Sequence, residues 1–262
     1  MRSIYLFVGL SIVFLSFGFV RTDDSTQKTV VKNIPLGKAE IVETEIEFVV
    51  GRLNISSSAT QLTEGTYKFY KEILKPEFSY TEEGKTGHLS ITSKKGHIQM
   101  DDDNDNNNDN ECLWDIALNK KVKHDLTVKL TAGNGNIDLS GCQLKRFEFK
   151  MVAGEAKINL SNTSVPEVNF KAMAGNATID LSGKWNNDLH ARIKGGVGEI
   201  TLKLPADIGI RMNISGVLGS VNTKGLYKMG QEYTNELLGK TKQTIYIDVT
   251  GGIGNVNVKL VE

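Results

Sequence analysis

Four basic side chains, Lys129, Lys150, Lys171 and Arg192, recur at one fixed interval. Cations spaced so evenly either hold a repeating anion, by an attraction that salt weakens, or keep a wet face soluble with splayed side chains. Lys194 and Arg211 bring the candidate anion-binding set to six residues, and the partner it implies is an anionic polymer, a lipid surface or a membrane protein. Other chemistries find less support. His88, His97, His124 and His190 are scattered and no HExxH, GxSxG or Cys-His signature is present, so the sequence offers no metal site, no nucleophilic triad and no cofactor site. Asp138 and Asp180, two repeats apart, come nearest to the carboxylates of a carbohydrate-active solenoid enzyme. They belong to a polar series, Asp138, Asn159, Asp180, Thr201 and Asn222, which reads as a carbohydrate or cation ladder or as the wet side of a strand. The expectation is a non-enzymatic protein.

The elements that must carry these residues are visible as a repeat. From Leu126 the chain reads LTVKLTAGNGNIDL, from Phe147 FEFKMVAGEAKINL, from Val168 VNFKAMAGNATIDL and from Leu189 LHARIKGGVGEITL. Gly133, Gly154, Gly175 and Gly196 fall in step, as do Ile137, Ile158, Ile179 and Ile200, and a fifth copy keeps the pattern with Ile210 and Val221. A short fixed period is the mark of a solenoid whose units gain a core only by stacking. Each unit has a longer strand, a glycine corner and a shorter strand, so the fold class is all-β, a β-solenoid with coils of about 21 residues. Ile116 and Leu118 lie one period ahead of Ile137 and Leu139 and suggest a first, less tidy coil.

Residues 1–20 carry Arg2 and an apolar run from Ile4, read as a secretory signal or N-terminal anchor, which places the mature chain outside the cytoplasm. A linker is expected over 21–38, irregular β structure over 39–100, an acidic and Asn-rich loop over 101–111, and the repeats over 112–262 with an inserted loop at 227–243. Asp101, Asp103 and Asp105 have calcium-loop spacing, but the glycine and closing glutamate of such a loop are missing. Export makes Cys112 and Cys142 candidates for a disulfide, the alternative being two small buried residues. The 31 basic and 31 acidic side chains balance, which argues against a nucleic-acid binder. Leu260 lies two residues from the end and leaves little room for a C-terminal cap, so an adhesin that self-associates through an open strand edge is an alternative reading.

Three motifs near the end carry a family resemblance: LPADIG at 204–209, GVLGSV at 216–221 and GIGNVNV at 252–258. The chain resembles the toast-rack proteins of bacterial envelopes, related to the C-terminal region of LiaF-type regulators and to adhesin-like repeat domains. The resemblance implies a right-handed β-solenoid outside the cytoplasmic membrane, a link to envelope-stress sensing, and no catalytic residues.

Overall fold

Alternating apolar and polar residues favour extended chain, and the computed structural model, which describes residues 27–93 and 111–262, is built from strands almost throughout. The expectations for residues 1–20, for 101–110 of the acidic run and for His97 lie outside the described residues. The N-terminal part supplies β1 (Lys28–Ile34), β2 (Ile41–Ser56), β3 (Ser58–Phe69), β4 (Pro76–Glu83) and β5 (Thr86–Ser93). Then come β6 (Leu113–Asn119), β7 (Lys123–Asp138), β8 (Leu144–Asn159), β9 (Glu167–Asp180) and β10 (Leu189–Pro205). The chain finishes with β11 (Gly209–Ser215), β12 (Val221–Lys224), β13 (Tyr227–Met229), β14 (Glu232–Thr234), β15 (Thr244–Thr250) and β16 (Ile253–Val261). All belong to one sixteen-stranded sheet, folded over on itself. The stretch expected to be a linker therefore contains a strand, with Val30 and Ile34 on its more buried side as β1 pairs antiparallel with β3.

Each long strand is one rung with a bend. In β7 the arm before Gly133 buries Leu126, Val128 and Leu130, and the shorter arm after it buries Ile137. A side chain at Gly135 would begin 3.4 Å from Leu130 Cδ2 and 3.5 Å from Phe149 Cζ, so the two arms face one core. The same inward positions hold Phe147, Phe149 and Met151 in β8 and Val168, Phe170 and Ala172 in β9. Phe149 and Phe170 stack with centroids 5.6 Å apart and planes 7° from parallel. Parallel pairing at about 4.8 Å per rung turns every repeated position into a column. At the bend that column must be glycine. Gly154 has φ 136°, and a Cβ on it would lie 1.8 Å from the carbonyl oxygen of Gly133.

The spacing of the rungs is less uniform than the sequence suggests. Gly133 faces Gly154 and Gly154 faces Gly175, one period on each time, but Ala174 faces Val197 and Ile179 faces Leu202, in both cases two positions beyond the period. The glycine and apolar residue of that rung are thus Gly198 and Leu202, not Gly196 and Ile200. The two extra residues lie in the turn between β9 and β10, where Trp185 is buried and its indole N–H donates to the Leu181 carbonyl at 2.9 Å. A slip of two leaves inward and outward sides unchanged, so the alternation cannot reveal it.

At the C-terminal end, chain order and spatial order part. The rung next to β10 is formed by the last residues of the chain: β15 pairs with the long arm of β10, and β16 with its short arm. The fifth repeat, β11 and β12, lies one rung further out, paired to β15 and β16. Leu260 therefore sits inside the stack opposite Leu204 rather than at an open end. Residues 227–243, expected to be a loop, contain β13 and β14, and β14 pairs antiparallel with β11 to cap the long arm. The short arm ends in the four residues of β12. The N-terminal end is built likewise. β2 lies next to β7; β5 and β6 cover its two arms; β4 and β3 then pair antiparallel with those. Ile116 consequently faces Ile55, which faces Ile137, so it is two rungs from Ile137 and not one.

Candidate binding face

The outward side of the long arm assembles most of the predicted basic residues. Lys129, Lys150, Lys171 and Lys194 form one column, with Glu47 at its N-terminal end. Because β10 is displaced by two, Lys194 takes the place expected for Arg192, which lies in the neighbouring column between Asn169 and Asp248. Arg211 stands further over, opposite Tyr246, and pairs with Glu232. Tyr246 in turn stacks on His190, with centroids 4.9 Å apart and planes 7° from parallel.

Carboxylates occupy part of this face. Lys129 binds Glu45 at 2.7 Å and also Glu47, and those hydrogen bonds raise its pKa above the ordinary lysine value. Lys150 meets Glu148 at 2.6 Å, while Arg146 binds Asp125 and Glu148, each at 2.8 Å. Lys150 first, then the Arg146 charge, holds the Glu148 carboxyl below its usual range against the opposing effect of burial. Arg192 reaches Glu167 at 3.5 Å. Lys171 and Lys194 are different. They face each other on adjacent rungs, both exposed, with no ion pair or hydrogen bond among the described residues.

The short arm carries a second group that the sequence conceals. The column of Asp138, Asn159 and Asp180 continues with Lys203, Lys259 and Lys224; Thr201 and Asn222 belong to the column beside it. Lys259 is far along the chain from both Lys203 and Lys224, by unequal steps that match no multiple of the period, so no periodicity announces their meeting. Asp180 binds Lys203 at 3.3 Å and accepts from the Ser182 amide and hydroxyl, and Asp138 accepts from the Ser140 amide and from Asn159. Both carboxylates thus serve their own turns. Nearby, a groove of about 460 Å³ is lined in part by Asn54, Glu64, Asp115, Asn136 and Asp138, with Asn54 donating to Asp115 at 2.6 Å.

The cysteines lie at opposite ends of the short arm. The Cys112 carbonyl abuts the Gly51 bend, whereas Cys142 closes the turn after β7 by donating its amide to the Leu139 carbonyl at 2.9 Å. The two are free thiols rather than a bridged pair, and burial pushes the pKa of both up to about 11. His124 is buried, with Nε2 donating to the Asn119 carbonyl at 3.1 Å and Nδ1 accepting from the Thr44 hydroxyl at 3.2 Å. Its environment belongs to the core, and the half-buried His88 pairs with Glu43 at 3.1 Å.

Residues 22–172 and 148–203 match the N-terminal domain of toast_rack, DUF2154. The chain belongs to this toast_rack family. No functionally curated protein matches it. Among solved structures, it is similar to a "putative cell adhesion protein" from Clostridium sporogenes, with 28% identity over 90% of this chain and 100% of that one and a TM-score of 0.64. A "putative adhesin" from Bacteroides fragilis has 11% identity over 88% and 97% of the two chains and a TM-score of 0.31. The toast_rack match ends at residue 203, before the intercalated rungs, and the likeness to the Clostridium structure extends beyond it.

Proposed function

We propose that this toast_rack protein is a non-enzymatic binding protein of the cell envelope, exported from the cytoplasm, which holds an anionic envelope component on Lys171 and Lys194 with Arg192 beside them. The observation that carries this reading is the pair of facing lysines without a carboxylate partner in the middle of the sheet, in a column whose other two lysines, Lys129 and Lys150, each have one. Directly opposed like charges on a sheet are unfavourable by up to roughly 1 kcal/mol. Lys224 has an ordinary reason for its place, since lysine on a terminal strand discourages edge pairing, and Lys259 is its immediate neighbour. Lys171 and Lys194 guard no edge. The Clostridium sporogenes protein's name, with its reference to cell adhesion, supports a binding role at a surface.

Inorganic polyphosphate is a suitable first probe. Binding measured by titration calorimetry is expected to weaken as salt rises and to be lost in Lys171→Gln/Lys194→Gln, while Lys224→Gln/Lys259→Gln leaves it intact. Binding carried instead by the second pair would move the site to the short arm, and no binding would return both rows to solvated surface. A second reading, self-association, is favoured by the edge of β12, which among the described residues pairs with no strand but β16; concentration-dependent oligomers that persist in high salt would support it. A part in envelope-stress sensing would require, beyond this, a membrane protein that the anion-binding face engages.

A further inference from the structure

The bend that separates the two arms is apolar along much of its outer side. Ala153, Ala174, Val197, Ile253 and Leu218 follow one another across five rungs, a line that exists only because β16 lies between β10 and the rung of β12. Val197 is 55% exposed, Ile253 60% and Leu218 72%, and Met173, at 58%, stands beside them in the adjacent column. Single exposed apolar residues are normal on a protein, but a contiguous line of them marks a contact surface. The line is convex, on the outside of a bend, so it presents an edge that must enter something soft rather than a groove that receives a side chain. Lys194 lies three residues before Val197 and Lys171 two before Met173, which puts the unpaired ammonium groups alongside the ridge on the long arm. The flank on the short arm is different, with Glu155, Asn176, Glu199 and Asn255.

We infer that this ridge enters the surface of an anionic lipid bilayer, the apolar side chains reaching below the headgroups while Lys171 and Lys194 meet lipid phosphates. Charge complementarity selects this occupant: apolar groups at the tip and cations a few ångströms back reproduce the layering of an anionic membrane surface. Glu155 and Glu199 on the other flank tilt the molecule so that the long arm leans toward the lipid. The inference rests on the anionic-ligand reading above and names the bilayer as the ligand's source.

The test places a reporter on the ridge of the full chain. Trp114 and Trp185 are both buried, so Val197→Trp adds an exposed fluorophore to a protected background. Residues 4–20 are apolar enough to attach to lipid themselves, so simple co-sedimentation is not the readout. With vesicles of equimolar phosphatidylcholine and phosphatidylglycerol, the Val197→Trp emission should shift to shorter wavelength and become shielded from an aqueous quencher. Adding Ile253→Ser and Leu218→Ser should weaken that response about tenfold, as expected for lost apolar burial, while leaving polyphosphate binding unchanged. Lys171→Gln/Lys194→Gln should weaken both. A reporter that stays in water on anionic vesicles overturns the inference, and retained polyphosphate binding in the same sample would leave the anion-binding reading standing. Entry that persists undiminished in the double glutamine variant, or on pure phosphatidylcholine, overturns the role given to the lysines.

Discussion

Two lysines in one column illustrate how a repeated residue acquires different duties from its neighbours. Lys129 separates Glu45 from Glu47, whereas Lys171 confronts Lys194. Lys129→Gln is therefore expected to lower stability slightly, within the roughly 0–1 kcal/mol typical of exposed ion pairs, because it leaves two carboxylates on one strand face. Lys171→Gln should be neutral or stabilising by up to roughly 1 kcal/mol, since it removes a repulsion. Urea denaturation of the two variants checks the opposite signs. His124 makes a separate prediction. Burial lowers its pKa below the ordinary 6.5, so the folded protein keeps it neutral where the unfolded chain already binds a proton. Its contribution is complete above that ordinary value and is lost as pH falls toward the lower folded value. Urea midpoints should drop between about pH 7 and about pH 5, and the drop should be smaller in His124→Gln.

At the scale of the strand, the bend is the demanding feature. Gly154→Ala places a methyl group against the Gly133 carbonyl at a φ that L-residues avoid, so a loss beyond the usual strain of roughly 1–3 kcal/mol is expected in a urea melt. The β13–β14 hairpin has the opposite role, covering rather than bearing load. Replacing residues 227–239 with a short Gly-Ser link should leave the inner rungs folded but expose β11, giving concentration-dependent association by light scattering. These elements differ in how far sequence could reveal them. The parity of Leu126, Val128 and Leu130, the bend glycines and the column of Lys129, Lys150 and Lys171 follow directly from periodicity. The slip in β10 does not, because Gly196 and Gly198, like Ile200 and Leu202, satisfy one alternation equally well. Nor does the order of the last rungs. Ile210, Met212 and Ile214 of β11 and Ile245, Ile247 and Val249 of β15 present interchangeable inward faces, and only three-dimensional pairing decides which lies next to β10. The lysine column was thus legible in part, while its carboxylate partners and the apolar ridge were not.

For the molecule as a whole, the intercalated ending governs how the protein can change size. A repeat protein ordinarily gains or sheds units by duplication anywhere along its length, but among the described residues only the parallel rungs from β7 to β10 succeed one another in both chain and space. Copying a unit within β11 to β16 would give the returning strand a competing slot, and copying one near β2 would crowd the antiparallel strands that close that end. Duplicating residues 147–167 in tandem supplies one complete inward set, one bend glycine and one turn. The lengthened chain should fold, and small-angle scattering should report a body longer by about 4.8 Å with an unchanged cross-section. The central rungs are the region in which this architecture is free to evolve a longer or shorter working face, with the strands at both ends carried along intact.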